Sequence, residues 1–146
     1  MRVAPRSGVV IPPRAQSGAR VLVAATLPLA TKLAARLEAE RHRVLEAHTA
    51  GDVTRWLDSM CSGKSRPADL MVVDAALLTR RAADALRDLR TRDRPMLLVV
   101  IAGAADRAGR ELAATLGAAV VADPPEEGEA GFIAECAALG APRKDD

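Results

Sequence analysis

Short apolar runs and stretches of helical periodicity alternate along the chain. Five runs have the length and composition of buried β-strands and are separated by polar or turn-forming residues. They cover residues 21–23, 43–46, 70–73, 96–101 and 118–122. Between and after them, apolar residues recur every three or four positions, as on one face of an α-helix. These helical stripes are Leu29, Leu33 and Leu37; Val53, Trp56, Leu57 and Met60; Leu78, Ala82, Ala85, Leu86 and Leu89; Ala108, Leu112 and Leu116; and Phe132, Ile133, Cys136 and Leu139.

The alternation of five strands with five helices, written (βα)5, predicts an α/β fold. Strands that are apolar throughout indicate a parallel sheet covered by helices on both faces. Right-handed crossovers then give a doubly wound, five-stranded, three-layer sandwich, and five strands are too few for a closed (β/α)8 barrel. The chain of 146 residues fits one such domain, which we place at residues 20–140.

The two ends of the chain lack this pattern. Residues 1–19 contain three prolines around the short run Val9-Val10-Ile11 and show no sustained period, so they are predicted to be a disordered basic leader. Residues 141–146 are predicted to be a frayed C-terminus.

The charge of the chain is unevenly distributed. Residues 1–20 hold four arginines and no acid, and the whole chain carries +2, which leaves −2 for residues 21–146. A mildly acidic domain offers no footprint for nucleic-acid phosphates. No apolar run is long enough to span a membrane, and two distant cysteines are typical of a reduced, cytoplasmic protein.

In a doubly wound sheet, ligands bind beyond the carboxyl ends of the strands, and several segments at these ends resemble one family. The segments are RVLVAATLPL at residues 20–29, EAHTAGDV at 46–53, PADLMVVD at 67–74, RP at 94–95 followed by apolar residues to Ala102, LGA at 116–118 and DP at 123–124. Their order and spacing resemble the receiver domains of response regulators, the CheY-like proteins with a flavodoxin-like fold. The resemblance covers about residues 20–140.

The resemblance implies a phosphoacceptor at Asp74 and a role in two-component, phosphorelay signalling. The resemblance also indicates that this chain lacks several residues that the family uses for phosphorylation. Ala25 and Thr26 stand where the family has the acidic pair that holds Mg²⁺, and Asp123 precedes the proline where the family has a lysine. The position of the family's hydroxyl falls on or near Ile101. We therefore expect a degenerate receiver, or pseudoreceiver, without a cofactor.

Three of these residues also have local explanations. Asp74 can accept hydrogen bonds from loop N–H groups or cap the next helix, and Asp123 can cap the last helix. Thr26 is predicted to cap the first helix, with Pro28 in its first turn.

We therefore expect a non-enzymatic, stand-alone binding module whose partner is a signalling protein, such as a histidine kinase or an effector. A homodimer through the last two helices is a further expectation, because residues 108–116 and 132–139 are rich in alanine and leucine. Two alternatives stay open. The domain is still phosphorylated at Asp74 by a histidine kinase, with Mg²⁺ as cofactor, or it is a small flavodoxin-like enzyme or cofactor-binding protein.

Overall fold

The computed structural model describes residues 18–92 and 95–141 and contains one five-stranded sheet. Its strands are β1 (Arg20–Ala24), β2 (Arg43–Ala47), β3 (Leu70–Asp74), β4 (Leu97–Ile101) and β5 (Ala119–Val121). They lie in the order β2-β1-β3-β4-β5, and every neighbouring pair is parallel. The predicted doubly wound fold is confirmed, because the order reverses direction after β2.

A helix follows each strand, as predicted. The helices are α1 (Leu29–Ala39), α2 (Ala50–Ser62), α3 (Arg80–Arg90), α4 (Arg107–Leu116) and α5 (Glu127–Gly140), and a 3₁₀ turn (Ala75–Leu77) lies between β3 and α3. Gly63 and Gly117 end α2 and α4 in the left-handed conformation that glycine adopts without steric cost. Within the described part of the chain, every helix is too short or too polar to cross a bilayer.

The helices cover both faces of the sheet. On one face, Leu22, Met71 and Val100 pack with the apolar sides of α2, α3 and α4. On the other face, Val23 and Val72 pack with α1 and α5. Alternate residues of each central strand therefore enter different cores, which is why these strands are apolar without interruption.

Two predicted helix caps are wrong. The residue that precedes α1 is Pro28, which offers no side-chain acceptor, and Thr26 contributes only its carbonyl oxygen, which accepts a hydrogen bond from the Ala30 N–H at 3.1 Å. Asp123 does not cap α5, because the residue at the N-cap is Glu126, and Pro124 and Pro125 have no N–H group to donate to Asp123. The carboxylate of Glu129 instead accepts from the N–H groups of Glu126 and Ala122, each at 2.9 Å.

The folded body begins slightly before the predicted boundary. Ala19, which the sequence placed in the leader, is fully buried, and its N–H donates to Nδ1 of the buried His42 at 2.9 Å. Gly18 lies so close to the backbone of Arg41 and His42 that a side chain there would clash. The rest of the predicted leader, residues 1–17, and residues 142–146 of the predicted C-terminus lie outside the described residues.

His42→Leu is expected to destabilise the fold, because the Ala19 N–H would stay buried without an acceptor. Such a loss costs about 1–3 kcal/mol, and it should appear as a lower midpoint in urea unfolding. His48→Leu is the matched control, since His48 is partly exposed and its Nε2 pairs with the partly exposed carboxylate of Glu46 at 2.7 Å. Equal midpoints for the His42 variant and the wild type would contradict this role.

Candidate functional site

Asp74 is the last residue of β3 and lies at the carboxyl edge of the sheet, next to Ile101 of β4 in the strand register. It is only partly buried, whereas the four residues before it are buried. Its Oδ1 accepts a hydrogen bond from the Ala76 N–H at 2.9 Å and caps the 3₁₀ turn. Asp74 therefore has a structural task in the loop that follows its strand.

Two further carboxylates act on Asp74. Burial raises its pKa above the usual aspartate value, and the negative charges of Asp123 and Asp106 raise it further. The hydrogen bond from Ala76 opposes these effects and does not cancel them. Asp123 and Asp106 reach the same edge because they follow β5 and β4, whose carboxyl ends lie beside that of β3.

Asp106 was not singled out from the sequence. It caps α4, where its Oδ1 accepts from the Gly109 N–H at 2.9 Å. Gly109 lets Ala75 of the neighbouring loop approach α4 closely, because a β-carbon at position 109 would lie only 2.8 Å from Cβ of Ala75. An aspartate just before a predicted helix and after a buried strand was the signal that could have revealed it.

The positions that resemble a Mg²⁺ site do not supply ligands for the ion. Mg²⁺ needs near-octahedral oxygen ligands, usually including one or two carboxylates. Ala25 is fully buried and its N–H pairs with the Ala47 carbonyl at 3.0 Å, while Thr26 is exposed. No set of three or more histidine, cysteine or acidic side chains among the described residues is placed to hold a metal ion. The donor set here therefore does not fit the cation.

Positive charge is also missing beside Asp74. The charged groups that shift its pKa are both acidic, and none of the ion pairs between described residues includes Asp74 or Asp123. Ile101 is fully buried among apolar neighbours and has no hydrogen-bonding group to offer. The edge therefore combines the partly buried Asp74, two further carboxylates and aliphatic side chains.

Two open grooves occur away from this edge. One has a volume of about 600 Å³ and the other about 320 Å³; both lie along α2 and share Arg55 and Ser59. Their lining residues include Lys64 of the SGKS turn at residues 62–65, but none of the strand-end residues described above.

Asp123→Asn is expected to lower the pKa of Asp74, because one of the two charges that raise it would be removed. The pKa can be read from the side-chain carboxyl ¹³C shift of Asp74 during a pH titration by NMR. Asp84→Asn is a suitable control, since Asp84 is an exposed residue of α3 that pairs with Arg87. An unchanged Asp74 pKa in the Asp123 variant would contradict the interaction.

Asp74→Asn is expected to stabilise the fold at neutral pH and to raise the melting temperature. The amide oxygen still accepts from Ala76, while burial and repulsion no longer penalise a charge. Because the folded-state pKa of Asp74 is raised, its destabilising effect is complete above that pKa and disappears below the ordinary value of about 3.9. The difference in melting temperature should therefore shrink as the pH falls through this window, and a constant or opposite difference would refute the charge penalty.

No protein-family model and no curated protein sequence matches the chain. Several solved structures do match the chain. The receiver domain of the sensor histidine kinase PA1611 from Pseudomonas aeruginosa PAO1, which has magnesium in its active-site cleft, is 16% identical over 84% of this chain and 99% of that chain, with a TM-score of 0.60. A CheY-like receiver domain protein from Methanospirillum hungatei is 20% identical over 74% and 83%, with a TM-score of 0.58.

A third match comes from the complex of the Saccharomyces cerevisiae histidine phosphotransfer protein Ypd1 with the receiver domain of Ssk1. It is 14% identical, covers 89% of this chain and 96% of that chain, and has a TM-score of 0.63. These likenesses agree with the strand order and the five alternating helices. The chain has the CheY-like fold of response regulator receiver domains.

Proposed function

We propose that this chain is a degenerate receiver domain of two-component signalling that acts through protein–protein contact and not through phosphorylation of Asp74. The fold supports the signalling class. The observation that carries the proposal is the surroundings of Asp74, where burial and then the charges of Asp123 and Asp106 raise its pKa and no cation pairs with it among the described residues.

Phosphoryl transfer to a carboxylate needs positive charge or hydrogen-bond donors at the oxygens where negative charge develops. Loss of one such donor typically lowers a rate by about 10²–10³, and a metal ion contributes several further kcal/mol. At this edge, Ala25 and Ile101 offer neither charge nor a side-chain donor, and Asp123 adds a negative charge. An acyl phosphate at Asp74 would bring more negative charge to a position already destabilised by repulsion.

A binding role needs a surface, and the outer sides of α4 and α5 offer one. Ala108 and Ala114 are exposed on α4, and Phe132 and Leu139 are exposed on α5. Small and apolar side chains allow a second helix to approach closely, which supports a homodimer through these helices. The likeness to the receiver that is crystallised with Ypd1 supports a second signalling protein, such as a histidine kinase or an effector, as the partner. A cytoplasmic location and function without a cofactor belong to the same proposal.

The phosphorylation test uses acetyl phosphate and Mg²⁺ with the full chain, and a Phos-tag gel as the readout. No retarded band is expected for the wild type, and beryllofluoride with Mg²⁺ should leave its amide NMR spectrum unchanged. Asp74→Asn is the control for reaction elsewhere. A retarded band in the wild type that disappears in Asp74→Asn would overturn the proposal in favour of a working receiver.

A further inference from the structure

Three exposed apolar side chains lie along α5 and at the amino end of the sheet, where α5 ends. Phe132 and Leu139 are 39% and 76% exposed, and they lie seven positions apart on the same side of α5, about 10 Å from each other along its axis. Leu97, the first residue of β4, is 37% exposed and lies beside Gly140 at the end of α5. We call Leu97, Phe132 and Leu139 the α5 patch.

The chain enters the domain at the same end of the sheet. Val21 pairs with Leu70, and Leu70 pairs with Leu97, so the start of β1 lies two strand spacings, about 10 Å, from Leu97 at the amino end of the α5 patch. Gly18 and Ala19 are fixed there through their packing against Arg41 and His42. Residues 1–17 therefore continue from a point close to the patch.

We propose that Val9, Val10 and Ile11 of the N-terminal segment dock on the α5 patch of the same chain. The seven residue steps from Ile11 to Gly18 can span about 23 Å when extended, which is more than the roughly 10 Å between the start of β1 and Leu97. Three extended residues cover about 10 Å, which matches the spacing of Phe132 and Leu139. The segment thus supplies an apolar run of suitable length at a suitable distance.

Charge favours this occupant as well. Arg6 and Arg14 flank the apolar run, and the segment from residue 1 to 17 holds no acid. The exposed Glu135 lies on α5 between Phe132 and Leu139, and no described residue forms an ion pair with it. Residues 142–146 also continue from this end, but apart from a proline they are all charged and offer no aliphatic side chain for the patch.

Docking of the segment would cover part of the surface through which a second copy is proposed to bind. The segment and the second copy would then compete for Phe132 and Leu139. This consequence rests on the proposed homodimer, whereas the docking itself does not depend on it or on the chemistry at Asp74.

Methyl NMR on the full chain tests the docking directly. The chain has three isoleucines, of which Ile101 and Ile133 are buried, so selective labelling of isoleucine δ1 methyl groups gives one reporter in the segment and two in the core. The Ile11 signal is expected away from its random-coil position, with NOEs to leucine methyl groups of the patch. In Leu139→Asp it should move to the random-coil position, with at least about a tenfold loss of the docked population, because a charge would meet an apolar contact.

Leu27→Asp is the matched control. Leu27 is 60% exposed at the opposite, carboxyl edge, so this variant should leave the Ile11 signal unchanged. Unchanged signals of Ile101 and Ile133 report an intact fold in both variants, and Val10→Asp tests the contact from the other side. A random-coil Ile11 signal in the wild type would overturn the proposal. So would an equal response to both leucine variants, or an Ile11 shift that disappears on dilution, which would indicate a second copy as the occupant.

Discussion

The sheet must bury apolar side chains on both of its faces, and this constraint determines where the molecule can carry chemistry. The central strands alternate between two cores, so Leu22 and Val23, although neighbours, pack against different helices. The three central strands therefore have almost no polar side chains between their ends, and ligands in such a sheet bind at the loops beyond the strand ends. Asp74 is the one charged residue among the last residues of the five strands, and its neighbours decide what that charge can do.

Asp74 has a structural reason to be present that does not require phosphoryl chemistry. Its hydrogen bond with Ala76 holds the 3₁₀ turn between β3 and α3. A carboxylate in this position gains that bond and is penalised by burial and by two negative neighbours. The pKa of Asp74 is raised, so burial and repulsion, which disfavour the charged carboxylate, outweigh the hydrogen bond that favours it. A cation beside Asp74 would favour the charged form and reverse this result. Ala25 supplies no ligand for a cation and Asp123 adds a negative charge, so both residues leave the charge of Asp74 without compensation.

The order and type of the elements could be predicted from the sequence because each depends on local periodicity, and Gly63 and Gly117 mark helix ends through their own backbone freedom. The caps of α1 and α5 could not be predicted in this way. The start of α1 depends on Pro28, which has no N–H group, and the start of α5 depends on the hydrogen bond from the Ala122 N–H to the carboxylate of Glu129. The bond between Ala19 and His42 joins residues 23 positions apart and follows from packing alone. The effect of Asp106 on the pKa of Asp74 could not be predicted either, because the two residues come together only when β3 and β4 are paired.

The two ends of the sheet differ in a way that bears on signalling. At the carboxyl end, repulsion between Asp74, Asp106 and Asp123 opposes the arrival of further negative charge. At the amino end, the exposed Leu97 and the last turn of α5, which carries the exposed Leu139, lie close to the point where the N-terminal segment joins β1. Apolar burial does not require a metal ion or a phosphodonor, and it responds to whatever competes for the same surface. Under the proposed function and the proposed docking, competing contacts at α5 would regulate this domain, and a covalent change at β3 would not.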